Sequence, residues 1–134
     1  MSNDWIDAEG FRANVGIILI NSDGKLLLGG RAGSKGWQFP QGGMLVGEEP
    51  EDAMYRELRE EVGLERDDVE LLGVTSEWLR YRLPDRFVRR NSTPLCIGQK
   101  QRRFMLHLVS TDDRLRFDRA DQAEFDRVRW VDFW

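Results

Sequence analysis

Residues 42–64 read GGMLVGEEPEDAMYRELREEVGL, and this stretch decides how the rest of the chain is organised. Pro50 suits the first turn of a helix, where its missing N–H costs nothing, and Gly63 suits the position just past a helix end. The segment between them predicts a helix over residues 51–62. Met54, Leu58 and Val62 recur at i, i+4 and i+8 and form its buried stripe. Each residue turns a helix by about 100°, so Glu57, Glu60 and Glu61 fall within about 100° of one another. Three carboxylates therefore share one face, at the rim of the apolar stripe. Like charges at these spacings repel, and cations would neutralise them. An oxygen-only donor set favours Mg²⁺ or Mn²⁺. The plain alternative is an acidic helix surface paired with Arg56 and Arg59.

Working outward, residues 14–20 are a β-branched apolar run followed by turn chemistry at 21–24 and a second apolar run at 25–28, which reads as a hairpin. Residues 29–36 hold four glycines and two cations and read as a loop open to a polar ligand. Residues 37–40 are extended, because Phe39 precedes a proline, and the Gly42-Gly43 pair then bends the backbone. After the helix come strand-like stretches at 69–76 and 78–83, and an arginine-rich connection at 84–93. A long strand at 95–109, an acidic loop at 111–126 and a strand at 128–133 complete the chain. Strands on both sides of one helix predict an α/β domain with helix packed on a mixed sheet.

At 134 residues, 40% hydrophobic and 33% charged, the chain has the size of one domain spanning 1–134. One cysteine, Cys96, permits no internal disulfide, and one histidine, His107, excludes a histidine-rich metal site, so carboxylates must hold any metal. Both residues lie on an apolar strand and are expected to be buried. The longest uncharged apolar run, residues 15–20, is far short of a membrane span, and the N-terminus lacks a signal pattern. A cytoplasmic protein with no membrane contact is expected. The net charge is only −4, but residues 48–70 carry eleven acidic side chains against three arginines, and residues 80–103 carry eight basic ones against Asp85. Opposite solvated faces explain such runs in general; here they also suit carboxylates that grip cations beside arginines that grip phosphate.

The segment 42–64 resembles the Nudix box, whose pattern is Gly, five residues, Glu, seven residues, then Arg-Glu-apolar-any-Glu-Glu-any-Gly-apolar. Gly42, Glu48, Arg56, Glu57, Leu58, Glu60, Glu61, Gly63 and Leu64 satisfy every fixed position. A chance match at any one start is below about one in a hundred million. Residues 37–43, 53–58, 78–81 and 96–101 further resemble the RNA pyrophosphohydrolases and dinucleoside polyphosphate hydrolases within that family. Ala13 departs from the proline common there.

The resemblance implies an α-β-α sandwich with a mixed sheet and two or more Mg²⁺ ions. It makes Glu57, Glu60 and Glu61 the catalytic metal ligands, with Glu57 also the favoured general base, and nominates Glu124 from a late loop as a further ligand. A backbone carbonyl near Gln41 or Gly42 is a further candidate donor, since hard cations accept backbone oxygen. Glu48 and Arg56 are expected in support, Glu48 by favouring the helix N-terminus and Arg56 by orienting a box glutamate. Arg12, Arg31, Gln41, Tyr81, Arg82, Lys100 and Arg102 are the candidates for substrate binding. Alternation along residues 98–103 puts Lys100 and Arg102 on one side of a strand and Gln99, Gln101 and Arg103 on the other, and only one set can face the site. Trp37, Phe39, Trp78 and Tyr81 are candidates for base stacking, with core packing the competing role.

The expected activity is hydrolysis of the 5′-triphosphate or 5′-diphosphate end of RNA to a monophosphate, the step that opens mRNA decay. Cleavage of dinucleoside polyphosphates is the second reading, and a non-catalytic nucleotide-binding module the third, disfavoured by an intact box. No DNA duplex is expected as a partner, and the protein is expected to be a monomer. Relatives continue into a basic C-terminal helix, so the resemblance also implies that this helix is missing after the early stop at residue 134.

Overall fold

The computed structural model describes residues 4–31, 33, 35–91, 93–116 and 125–132. In chain order they form β1 (Phe11–Ile20), β2 (Leu26–Arg31), β3 (Trp37–Gln38), β4 (Gln41–Gly43), α1 (Pro50–Val62), β5 (Val69–Val74), β6 (Leu79–Arg82), β7 (Gly98–Leu108) and β8 (Phe125–Val131). The strands make one mixed sheet. At its centre β1 and β7 run parallel, from Phe11 opposite Gly98 to Ile20 opposite His107. All other pairings are antiparallel. β2 and β4 pair with β1, β3 and β8 pair with β2, and β5 and β6 pair with β7.

Strand alternation gives the sheet two chemically different faces. Ala13, Val15, Ile17 and Leu19 of β1, with Phe104 and Leu106 of β7, are buried. Against them packs the apolar stripe of α1, with Met54, Leu58 and Val62 fully buried as their spacing requires. Pro50 starts the helix, and Gly63 ends it in the left-handed region at φ 75°, where its N–H donates to the Arg59 carbonyl. The opposite face carries Arg12, Asn14 and Gly16 of β1 beside Gln99, Gln101 and Arg103 of β7. This polar face is the wall of the site described below.

The structure departs from the sequence reading at three places. Residues 29–31, expected in a loop, belong to β2. A Cβ on Gly29 would come within 2.6 Å of the Phe125 ring, and one on Gly30 within 2.5 Å of the Arg127 side chain, so these glycines serve close packing of β8 rather than flexibility. Gly42 and Gly43 lie in β4, paired with Val15 and Asn14, rather than in a bend. β8 begins at Phe125, inside the stretch read as an acidic loop. Among the described residues α1 is the one α-helix, so the second helical layer of the expected sandwich is not among them. No helix among them is long and apolar enough to cross a membrane.

Candidate active site

The site is built where α1 passes beneath β4. Glu57 and Glu61 are buried, each 6% exposed, although both are carboxylates. Burial of this kind requires compensation, and for Glu57 much of it comes from Arg56. Its Nε and Nη2 donate to the two Glu48 oxygens at 2.8 and 2.9 Å, a bidentate pair, while Nη1 donates to Glu57 Oε1 at 2.7 Å and Glu60 Oε2 at 3.3 Å. Nη2 also donates to the Gly43 carbonyl at 2.8 Å, tying the helix to β4. One guanidinium thus holds three carboxylates and the strand above them. The Arg56 hydrogen bonds, aided by the Leu45 N–H, hold the Glu48 carboxyl below its ordinary range against the opposing effect of burial. Reciprocally, Glu48 first and Glu57 next keep Arg56 more firmly protonated than usual. Glu48 accepts from the Leu45 N–H at 3.0 Å and from Arg56, so the support expected of it runs through the turn before α1 and through that guanidinium. The residue at the N-cap is Glu49, which makes no side-chain cap.

Gly42 stands directly over this cluster. A Cβ there would overlap the Glu57 carboxylate, so the absence of a side chain lets that carboxylate lie against the β4 backbone. Across β4, on the polar face, Asp4, Arg12, Asn14, Arg31, Gln38, Gln41, Gly42, Gly43 and Gln99 enclose a cavity of about 230 Å³. The glutamates and the arginines therefore meet at one backbone segment, approached from opposite sides. Beside the cavity, Gln101 Nε2 donates to Asn14 Oδ1 at 2.6 Å and Gln41 Oε1 at 3.0 Å. Arg103 donates to Gln101 Oε1 at 2.8 Å and to the Tyr81 hydroxyl at 2.6 Å. Four strands are stitched together by this network. A second cavity of about 260 Å³, lined by Ile18, Phe39, Pro40, Gln101 and Arg103 among others, adjoins the first through Gln38 and Gln41.

Of the residues nominated from sequence, Arg12, Arg31, Gln41 and Gly42 line the first cavity, and Tyr81 lies on its face of the sheet. Three nominations are corrected. Lys100 and Arg102 occupy the other face of β7, so the set that meets the site is Gln99, Gln101 and Arg103. Lys100 is 6% exposed, 3.0 Å from Asp7 and packed on the rings of Trp5 and Trp78 at 4.2 and 4.6 Å, leaving it no route to a phosphate. Arg102 donates to the Thr75 carbonyl at 2.7 Å and lies over Trp78. Arg82 pairs opposite Gly98, on the same side as Lys100, and is turned away from the cavity. Glu124 lies outside the described residues. Phe39 borders the second cavity, whereas Trp78 packs edge-on against Trp5 and Trp37 lies against Arg127 and Arg129. Cys96 and His107 are half-buried rather than buried. Sequence reasoning missed Asp4, Asn14 and Gln38 altogether; only the extended backbone before Pro40 hinted at Gln38.

The donor set suits a divalent cation. Three carboxylates on one helical face, with a strand carbonyl beside them, have the hard oxygen chemistry that such an ion takes. Among the described residues no three His, Cys, Asp or Glu side chains already converge into a metal cage. Between Glu57 and Glu60 the positive charge is the Arg56 guanidinium.

Comparison with known proteins agrees with this geometry. The NUDIX domain family matches residues 10–134. The RNA pyrophosphohydrolase of Pseudomonas putida (strain GB-1) is 60% identical over 129 residues, covering 96% of this chain and 81% of that protein. The RNA pyrophosphohydrolase of Methylococcus capsulatus (strain Bath) is 58% identical over 129 residues, with 96% of this chain and 68% of that protein covered. The fold is similar to that of the E. coli dihydroneopterin triphosphate pyrophosphohydrolase, with TM-score 0.69, 19% identity and coverage of 90% of this chain and 80% of that one. It is also similar to a C. elegans Ap4A hydrolase in a binary complex, with TM-score 0.65, 17% identity and coverage of 90% and 79%. A match running from just before β1 to the end of the chain means that the chain belongs to the Nudix family.

Proposed function

We propose that the protein hydrolyses a phosphoanhydride at the 5′-triphosphate or 5′-diphosphate end of RNA, leaving a 5′-monophosphate, with a divalent cation as cofactor. The observation that carries this reading is the meeting of the glutamate face of α1 with the arginine-lined cavity across the backbone of Gly42. Glu57, Glu60 and Glu61 would hold the cation, which when bound offsets charge on phosphoryl oxygens. Arg12 and Arg31 bind and orient the terminal phosphates, and Gln41 adds a neutral contact. Glu57 accepts the proton of the attacking water, the new P–O bond forms and the anhydride P–O bond breaks. Arg56 holds the Glu57 carboxylate in place for this.

The kinship to RNA pyrophosphohydrolases supports RNA as the substrate class. The second reading, cleavage of a dinucleoside polyphosphate, draws on one observation: the phosphate cavity is flanked on both sides by further cavities, which suits a nucleoside at each end. Catalytic efficiencies on 5′-triphosphorylated RNA and on diadenosine polyphosphate decide between them, and higher efficiency on the dinucleotide selects the second. Glu57→Gln is expected to lower turnover by about 10³-fold with the fold intact, and chelator to abolish activity that Mg²⁺ or Mn²⁺ restores. Unchanged turnover in Glu57→Gln would falsify the assigned roles.

A further inference from the structure

Beyond the phosphate cavity the polar face continues into a separate cavity of about 350 Å³, within the size range of small-ligand sites. It shares Arg12 and Gln99 with the phosphate cavity, so the two adjoin along β1 and β7. The rest of its wall combines apolar side chains, Ile6, Leu83, Phe87 and Pro94, with the guanidinium of Arg89. Two features distinguish it from an ordinary surface dimple. Phe87 is 58% exposed, and the group over its ring is the Arg86 guanidinium at 4.8 Å. Arg89 forms an ion pair with no carboxylate among the described residues, in contrast to Arg12, which lies 3.5 Å from Asp4. An aromatic ring and a cation that forms no ion pair among the described residues, lining one cavity, match the two parts of a nucleotide, base and phosphodiester.

Charge gives the direction. The cavity on the other flank has Arg103 as its cation, already engaged by Gln101 and Tyr81. On the Phe87 side lies Arg89, with Arg86 at the Phe87 ring, beside Arg12, which is shared with the phosphate cavity and faces Asp4. A polyanion leaving the phosphate cavity is drawn to that side.

We propose that the RNA chain leaves the phosphate site through this cavity, with its first base against Phe87, Leu83 and Pro94 and its first phosphodiester on Arg89. This rests on the RNA reading and adds to it the path of the substrate. It is tested by equilibrium binding of two probes with methylene-bridged triphosphates, a nucleoside triphosphate and the matching 5′-triphosphorylated dinucleotide. The wild-type protein is expected to bind the dinucleotide about tenfold more tightly. Arg89→Ala should erase that difference while binding the nucleoside triphosphate as before, and Phe87→Ala should weaken both probes. Equal dinucleotide binding by wild type and Arg89→Ala overturns the proposal, as does a wild-type protein that does not distinguish the probes. Turnover of triphosphorylated RNA, measured separately, reports on the activity itself, so a failed path and a failed substrate class give different results.

Discussion

A Cβ on Gly42 would fall on the carboxylate of Glu57, whereas one on Gly43 would meet nothing closer than Asp4 Oδ1 at 3.6 Å. Two adjacent glycines therefore carry unequal demands. Gly42→Ala must displace the Glu57 side chain, and a misplacement of about 1 Å at reacting groups costs about 100-fold in rate. We expect that loss in kcat, with far-UV circular dichroism unchanged. Gly43→Ala is expected to lose less than tenfold. Equal effects from the two variants would show that the overlap is not the cause.

Arg56 holds Glu48, Glu57 and Glu60 together, so Arg56→Ala leaves two buried or half-buried carboxylates without their cation. A loss of about 2 kcal/mol in metal-free buffer is expected from urea unfolding. Mg²⁺ should recover part of it by supplying the missing charge, and recover less in wild type. A variant whose stability does not respond to Mg²⁺ speaks against cation binding at this helix.

Lys100 gives a prediction with a pH signature. Burial tends to raise the Asp7 carboxyl, but the Phe11 N–H and Lys100 outweigh it and hold Asp7 below its ordinary value of 3.8. A folded-state value below the unfolded one stabilises the fold above about pH 3.8, and that contribution is lost as pH falls through the folded value. Lys100→Met should therefore cost about 2 kcal/mol at pH 7, where it removes the cation from a half-buried carboxylate, and less below about pH 4. Stability curves against pH for both proteins check this. A gap that is constant with pH would refute the pairing as its source.

Asp4 lies 3.5 Å from Arg12, so on the proposed reading it would compete with phosphate for that guanidinium. Asp4→Asn is expected to lower KM for triphosphorylated RNA by about threefold, the scale of a half-exposed ion pair, with kcat little changed. Arg12→Ala should raise KM by about tenfold. Both effects should shrink as chloride rises, because screening weakens each partner's pull on the guanidinium. A raised KM in Asp4→Asn would mean that Asp4 positions Arg12 instead of competing for it.

What was legible in the chain follows the range of the interactions involved. The helix at 50–62 is specified locally, by Pro50, Gly63 and the stripe of Met54, Leu58 and Val62, and it stands where the periodicity places it. The carboxylate face follows from helical geometry alone. By contrast, alternation in β7 yields two equivalent sets of side chains, and choosing between them needs the neighbours. Gly16 makes room for Gln101 on one face, while Trp5, Trp78 and Asp7 close over Lys100 on the other. Lys100 has the composition of a phosphate ligand and the surroundings of a core residue. Gly29 and Gly30 misled in the same way, since the side chains that require them, Phe125 and Arg127, come about a hundred residues later.

The parallel pairing of β1 with β7 also ties the two halves of the centre to one long-range event. The buried stripe of α1 shares its core cluster with Phe104 and Leu106 of β7, and the amide bridge from Gln101 to Asn14 joins residues 87 positions apart. Pairing over such a separation is slow to form. The helix that carries the glutamates and the polar wall across the sheet therefore reach their final places together, when β7 docks, and a variant that loosens β7 is expected to disturb both.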